Sequence, residues 1–204
     1  MNNLFFACAG TLLLLSSAGC SSKPDSVEQA QQANNANMGI KDADTKDAPA
    51  DSAGGTQRSA FDSEFLTKAA SGGMLEVQLG QQIAQKATTP EAKNFAQQMV
   101  TDHTKSNEEL KGLAANKNIV LPTTLGKDQQ KVYDEVLAEK GAELDKKYVQ
   151  AMITDHEEDI KEYQEAVSKT NDPNVRAFAQ RNLPILQMHL GMVQKMQPIV
   201  ENKK

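Results

Sequence analysis

The sequence predicts an all-α protein, a four-helix bundle with an extra short helix in the crossover between the second and third main helices. Apolar residues recur at helical spacing in four long segments. Two of these segments begin with a capping residue followed by proline, which is a strong helix-start signal. No segment shows the sustained alternation of apolar and polar residues that a half-buried strand requires.

The first two main helices are predicted over residues 62–86 and 90–115. The inward stripe of the first consists of apolar and small residues at helical spacing: Phe65, Leu66, Ala69, Gly73, Val77, Gly80, Ile83 and Ala84. The second begins at Thr89-Pro90-Glu91, with threonine as the cap, proline at the first helical position and an acid in the first turn. The short turn between them predicts an antiparallel hairpin.

The second half of the chain repeats this organisation. A loop over residues 116–126 and a short amphipathic helix over 127–139 precede the third main helix, predicted over 144–169. Asn171-Asp172-Pro173 then repeats the cap-and-proline signal and starts the fourth helix. The segments 90–97 and 173–180 resemble each other, as expected for a duplicated hairpin. The pattern leaves open whether the second and third main helices run parallel or antiparallel.

The first 19 residues resemble an export signal. The apolar run over residues 4–15 is too short to cross a bilayer and is typical of a signal peptide. Ala18-Gly19-Cys20 resembles the lipobox of bacterial lipoproteins, which predicts lipidation of Cys20 and a membrane anchor. Ser21 resembles an outer-membrane sorting signal, so we expect an outer-membrane lipoprotein on the periplasmic side of the envelope. Ordinary cleavage after Ala18, giving a soluble periplasmic protein, is the alternative.

The composition defines the remaining organisation. Residues 20–58 contain almost no large apolar side chain, which predicts a lipidated N-terminus and a disordered tether. The bundle domain is predicted over 59–198 and a C-terminal tail over 199–204.

Because Cys8 lies within the signal, Cys20 is the only cysteine left and no internal disulfide can form. The net charge of -5 and the absence of basic runs argue against nucleic-acid binding.

The three histidines are the main clue to function. His103, His156 and His189 lie on the apolar stripes of three different main helices, and Glu76 lies on the stripe of the remaining one. Counted from the two turns, the members of each hairpin differ in height by about 3 Å, at ~1.5 Å per residue. Four inward polar groups at one level of a bundle are therefore predicted to converge.

Two interpretations of this convergence remain open. Inward groups near the middle of a bundle are how such folds bind metals and cofactors, and this donor set suits zinc, copper, manganese or iron. The groups can equally form a structural polar network, because buried polar groups must be paired. In the structural interpretation Asp102 and Asp155, each next to a histidine, can serve as flanking partners to neighbouring side chains.

Several motifs between residues 61 and 196 together resemble the bacterial family called "domain of unknown function four-one-four-two". They are Gly73-x-x-Glu76-x-x-x-Gly80, Phe95-Ala96-x-x-Met99-x-x-Asp102-His103, Asn107-x-x-Leu110, Leu121-Pro122, Asp145-x-x-Tyr148-x-x-x-Met152, His156, and Leu183-Pro184-x-Leu186-x-x-His189-Leu190. The resemblance implies an exported protein with a ferritin-like helical bundle. The family has no agreed activity, so the resemblance implies none for this chain.

The sequence departs from the di-iron pattern of ferritin-like enzymes. Those enzymes carry Glu-x-x-His on two helices, whereas Val100, Ile153 and Leu186 stand three residues before the histidines here. No activated nucleophile, phosphate-binding loop or zinc-protease motif occurs, so enzymatic activity is left open. The sequence favours an envelope lipoprotein that serves as a non-enzymatic binding or interaction module, with another envelope protein as partner. The alternative is a metal-binding protein or oxidoreductase that uses the central Glu/His cluster.

Overall fold

The structure is a computed structural model and describes residues 25–40 and 50–203. This part of the chain is all-helical, without a strand, so the predicted fold class is confirmed. Its helices are α1 (Ser26–Asn37), α2 (Ala50–Lys86), α3 (Pro90–Ala115), α4 (Lys127–Ala138), α5 (Ala142–Lys169) and α6 (Pro173–Glu201). None of them has the length and apolar character needed to cross a bilayer. The predicted signal peptide and Cys20 lie outside the described residues.

The two predicted cap-and-proline signals do start helices. The Thr89 hydroxyl accepts a hydrogen bond of 3.2 Å from a backbone N–H in the first turn of α3. The Asp172 carboxylate accepts two such bonds, of 2.9 and 3.1 Å, in the first turn of α6. In both helices the proline at the start lacks the N–H that would otherwise need a partner.

Asp145, in the first turn of α5, fixes the direction of the chain through the bundle. Its carboxylate accepts hydrogen bonds from the backbone N–H groups of Thr88 at 2.9 Å and Thr89 at 2.8 Å, so α5 begins beside the turn between α2 and α3. At the opposite end, Lys117, just after α3, pairs with Asp172, just before α6. Consequently α3 and α5 run parallel, and the crossover that contains α4 spans the length of the bundle.

Two apolar clusters fill the two ends of the four long helices. The cluster near the α2–α3 turn includes Leu79, Ile83, Phe95, Met99, Tyr148, Met152, Val193 and Met196. The cluster at the other end includes Phe65, Leu66, Leu110, Tyr163, Phe178 and Leu186. Each fully buried large side chain stabilises the fold by roughly 1.5–3 kcal/mol. The polar residues in the middle of the bundle therefore lie between two apolar layers.

Close approach of α2 and α3 depends on glycine. A Cβ atom at Gly80 would lie 3.0 Å from the carbonyl oxygen of Ala96 and 2.9 Å from Cγ2 of Val100. Backbone cannot move away as a flexible side chain can, so a larger residue here would separate the two helices. This close approach brings Glu76 of α2 within reach of α3.

The predicted disordered tether over residues 20–58 is wrong for Ser26–Asn37, which form α1. This helix is held by hydrogen bonds more than by apolar burial. The Asn34 amide donates to the Val120 carbonyl at 2.9 Å and accepts from the Val120 N–H at 2.7 Å. Asp25 caps α1 and also accepts from the N–H of Lys127 at 2.6 Å. This segment is ordered in spite of its polar composition, because the crossover loop supplies hydrogen-bond partners for its side chains.

Two further boundaries, the start of the first main helix and the end of the last one, also shift outward. The first main helix, α2, begins at Ala50 rather than at residue 62. At the C-terminus, α6 continues to Glu201 and Val200 is 1 % exposed, so residues 199–201 are not a tail. Val193, Met196 and Val200 share the buried face at helical spacing, which explains why the helix continues. Outside this buried face of α6, Met188 and Met192 are 48 % and 38 % exposed.

We expect Asp145→Ala to lower the free energy of unfolding by about 3 kcal/mol, because buried N–H groups at the α2–α3 turn lose their acceptor. Urea denaturation followed by circular dichroism measures this change. Glu143→Ala is the matched control: its carboxylate is 65 % exposed and makes a surface ion pair, so a change within about 0.5 kcal/mol is expected. Equal effects of the two substitutions would contradict the capping role of Asp145.

Candidate metal centre

The structure brings the four predicted site residues together in the middle of the bundle. Glu76, His103, His156 and His189 come from α2, α3, α5 and α6 and are 1 %, 6 %, 0 % and 0 % exposed. The three imidazole ring centroids lie 5.2, 5.5 and 5.8 Å apart. The four residues that were predicted to share a height and to face inward therefore do form a cluster. Its role as a metal site stays a prediction.

His156 has a defined proton position and one unsatisfied nitrogen. Its Nδ1 lies 2.9 Å from the carbonyl oxygen of Met152, which can only accept, so Nδ1 carries the proton. Nε2 is therefore a lone-pair nitrogen directed into the cluster. It is fully buried and has no hydrogen-bond partner, and Oε1 of Glu76 lies 3.5 Å away. Such an atom is costly unless something else satisfies it.

His189 is oriented by Asp102. Nε2 of His189 lies 2.8 Å from Oδ2 of Asp102. Burial tends to raise the pKa of Asp102, but hydrogen bonds from Gln98 and His189 outweigh it and hold the pKa below the usual range. The carboxylate therefore accepts, Nε2 of His189 carries the proton, and Nδ1 has the lone pair. Asp102 is the flanking partner that the sequence predicted.

His103 lies between Glu76 and His189. Its Nδ1 is 2.5 Å from Oε2 of Glu76, and its Nε2 is 3.3 Å from Nδ1 of His189. When Glu76 is protonated, it donates to His103, which in turn donates to His189, and the chain of hydrogen bonds is complete. When Glu76 is ionised, His103 donates to it, and two lone-pair nitrogens face each other at 3.3 Å. A proton or a metal ion between them would relieve this repulsion.

Asp155 is a further site residue, one that the sequence assigned only a flanking role. Its Oδ2 and Oε1 of Glu76 are both buried acceptors without a donor, and each can be satisfied if one proton is shared between the two carboxyl groups. Burial raises the pKa of Glu76 to about 8. Burial and the nearby Glu76 charge raise the pKa of Asp155 well above its usual range. The repeated Thr-Asp-His sequence at 101–103 and 154–156 was the available signal for this residue.

The imidazoles themselves are held neutral. Burial lowers the pKa of His103 to about 4 and, together with the neighbouring imidazoles, lowers that of His156 to about 3. Burial also lowers the pKa of His189, although its hydrogen bond to Asp102 opposes the change. Neutral imidazole is the form that binds metals, so the three histidines are prepared as ligands at physiological pH.

The cluster contains two overlapping sets of ligand atoms within 4.8 Å of one another, one formed by the three histidines and one by Glu76, Asp155 and His156. Zinc–nitrogen bonds of 2.0–2.1 Å at a tetrahedral angle place two nitrogens about 3.3 Å apart. The separation between His103 and His189 matches this distance. The residues therefore fit a small tetrahedral metal ion better than a di-iron pair, which needs bridging carboxylates.

The fold and the central cluster define a ferritin-like helical bundle with a buried histidine and carboxylate centre. A family model described as "Domain of unknown function (DUF4142)" matches residues 47–196. The chain belongs to this family, as its sequence motifs predicted. No curated protein matches the chain.

A solved structure supports the fold. The chain is similar to a crystal structure from Anabaena variabilis ATCC 29413, of a two-domain protein containing DJ-1/ThiJ/PfpI-like and ferritin-like domains. The TM-score is 0.53 at 16 % sequence identity, and the match covers 88 % of this chain and 52 % of that one. The chain thus spans about half the length of that protein, and the similarity shows the ferritin-like architecture alone.

The pKa shifts predict an opposite pH dependence for the carboxyl and imidazole groups of the metal-free protein. The pKa of Glu76 is raised from 4.5 to about 8, so its contribution to stability is present below pH 4.5 and lost as the pH rises through 8. The pKa values of His103 and His156 are lowered from 6.5 to about 4 and about 3. Their contribution is present above pH 6.5 and lost as the pH falls through those values.

Between pH 6.5 and about 9, the contributions of His103 and His156 stay constant, while those of the buried carboxyls, Glu76 and Asp155 among them, change. Ionisation of Glu76 alone should cost the wild type, with chelator present, about 2 kcal/mol of unfolding free energy over this range. Glu76→Gln, which cannot ionise, should lose that much less than the wild type, whereas the exposed control Glu108→Gln should follow the wild type. Urea denaturation at several pH values measures the slopes. Parallel curves for the wild type and Glu76→Gln would show that the carboxyl is not held protonated.

Proposed function

We propose that the chain is a metal-binding protein whose three imidazoles hold one divalent transition-metal ion in the middle of the bundle. The ligands are Nε2 of His103, Nε2 of His156 and Nδ1 of His189. The observation that carries the proposal is Nε2 of His156, a fully buried lone-pair nitrogen without a hydrogen-bond partner. A metal ion at the convergence of the three nitrogens satisfies it, together with the facing nitrogens of His103 and His189.

The opposite nitrogen of each ring supports this arrangement. Nδ1 of His103 contacts Glu76, Nδ1 of His156 contacts the Met152 carbonyl, and Nε2 of His189 contacts Asp102. Metal-binding histidines generally donate their other N–H to a carboxylate or carbonyl, which fixes the ring and strengthens the ligand. The sequence predicted Glu76 as a direct ligand. Its contact with His103 supports an orienting role instead.

The donor set indicates the class of metal. Three neutral imidazoles suit zinc or copper better than magnesium or calcium, which prefer oxygen ligands. Three protein ligands leave a fourth position for water or a small molecule. A metal held in this way supplies Lewis acidity, while Glu76 and Asp155 beside it hold a proton. No particular reaction follows from these groups.

Zinc titration of protein purified without an affinity tag tests this function. We expect one zinc ion per chain, and a loss of affinity of about a hundredfold or more in His156→Ala, because one of three ligands is removed. Asp102→Asn should weaken binding by about 10–100-fold, since it only orients His189. Isothermal titration calorimetry, with elemental analysis of the purified protein, gives stoichiometry and affinity.

Phe95→Leu is the control for core disruption. Its ring centroid lies 6.5 Å from that of His156 and 6.3 Å from that of His189, yet it offers no ligand atom. The substitution should therefore destabilise the bundle while leaving zinc affinity close to that of the wild type. If the wild type binds no zinc, copper, manganese or iron, the proposal fails and the cluster is a structural polar network.

We also propose that the chain is an exported envelope protein anchored through a lipid on Cys20. The apolar run over residues 4–15 and the Ala18-Gly19-Cys20 sequence support this localisation. An anchor would keep the bundle within reach of a membrane surface without entering it. Another envelope protein as partner stays a prediction from the sequence.

Replacing Cys20 with alanine should move the protein from the membrane fraction to the soluble periplasmic fraction, because the lipid attachment site is lost. Fractionation with immunodetection, and mass spectrometry of the mature N-terminus, measure the outcome. A wild-type protein that is already soluble and begins at Gly19 would establish ordinary cleavage after Ala18 instead.

A further inference from the structure

An acidic cleft leads from the surface of the bundle towards the central cluster. A cavity of about 560 Å³ lies between α1, α2, α5 and the start of α4, and an adjoining one of about 290 Å³ lies between α4 and α5. Both are lined by Asp128, Gln129, Asp155 and Glu158. We refer to these two connected cavities as the acidic cleft.

The charge of the acidic cleft favours cations. Seven carboxylate side chains and only two lysines, Lys68 and Lys127, line its larger cavity. Asp25, which caps α1, and Glu28, in its first turn, belong to this set, so the unexpected N-terminal helix contributes to the cleft. A cleft lined by one sign of charge concentrates counter-ions and accelerates their association.

Asp155 connects the acidic cleft with the buried cluster. Its side chain is 15 % exposed and lines both cavities, while its Oδ2 is buried without a hydrogen-bond partner. One ligand atom each of Asp155, Glu76 and His156 lies within 4.8 Å of the others. Glu76 and His156 are 1 % and 0 % exposed, and each directs an unpartnered atom into this space. The acidic residues at the surface therefore lead inward to buried ligand atoms that have no hydrogen-bond partner.

We propose that Asp155, Glu76 and His156 form a second, outer cation site, which receives a divalent metal ion from the acidic cleft before it reaches the three histidines. This inference rests on the proposed metal-binding function. His156 belongs to both sets of ligand atoms but has a single lone pair on Nε2. One ion cannot occupy both sites at full coordination, so it passes from the outer set of ligand atoms to the three histidines. Asp155 thus controls the rate of loading, and the three histidines set the final affinity.

Cobalt(II) uptake by the metal-free full chain tests this route, because tetrahedral cobalt with nitrogen ligands absorbs visible light. Stopped-flow absorbance gives the rate of uptake, and equilibrium titration gives the affinity. We expect Asp155→Asn to slow uptake about tenfold or more while changing the equilibrium affinity by less than about threefold. Release to excess chelator should slow by a similar factor, since both directions use the outer site.

Two neighbouring surface carboxylates provide a matched pair. Glu158 lines the acidic cleft, whereas Glu157 is exposed on the same helix and does not line it. Glu158→Gln should slow uptake and weaken its dependence on ionic strength, and Glu157→Gln should change neither. Both positions are exposed, so these variants test the route even if Asp155→Asn folds poorly.

The possible failures are distinguishable. Wild-type uptake rates in Asp155→Asn and Glu158→Gln would overturn the outer site while leaving the central site intact. An affinity loss in Asp155→Asn as large as that in His103→Ala would make Asp155 a ligand of the central site and would overturn a separate loading site. Absence of any cobalt binding by the wild type would overturn the proposed function, and this inference with it.

Discussion

Polar groups buried in the middle of an apolar bundle must satisfy one another, and the rest of this structure depends on that constraint. Glu76 and the three histidines have apolar layers above and below, so their partners are mainly one another and the protein groups beside them. Asp102 and the Met152 carbonyl hold two of the rings from outside. Gly80 allows α2 to approach α3 closely enough for Glu76 to contact His103. Among the described residues, Nε2 of His156 and one oxygen each of Glu76 and Asp155 are left without a hydrogen-bond partner at the centre, as is the nearby hydroxyl of Tyr148.

The direction of the helices determines where this centre can be reached. Asp145 binds the start of α5 to the α2–α3 turn, so the crossover has to return along the whole bundle. This return brings α4 and the loop before it alongside α2 and α5, and α1 binds to the same loop through Asn34 and Asp25. The acidic cleft lies between these elements. A duplicated hairpin with a short connection would have had neither α4 nor the cleft.

The sequence predicted most of the fold because the signals were local. Thr89-Pro90 and Asp172-Pro173 mark helix starts through their own caps, and the helical spacing of apolar residues marks the buried faces. The central cluster was predictable as well, since counting residues from the turns gives the height of Glu76 and the histidines. In contrast, α1 depends on hydrogen bonds between residues far apart, such as Asn34 with Val120, and an apolar pattern carries no sign of them. Asp155 was underestimated for a related reason: its proximity to Glu76 is created by the packing of α5 on α2.

In the proposed function, three particular imidazole nitrogens bind one metal ion. Long-range ¹H–¹⁵N correlation spectra of the histidine side chains, recorded with and without zinc, test it most directly. We expect zinc-induced shifts at Nε2 of His103, Nε2 of His156 and Nδ1 of His189. Nδ1 of His103 should gain the proton that Glu76 gives up, whereas Nδ1 of His156 and Nε2 of His189 should keep theirs. Spectra that zinc leaves unchanged, or loss of the proton at the nitrogens that face Met152 and Asp102, would contradict this arrangement.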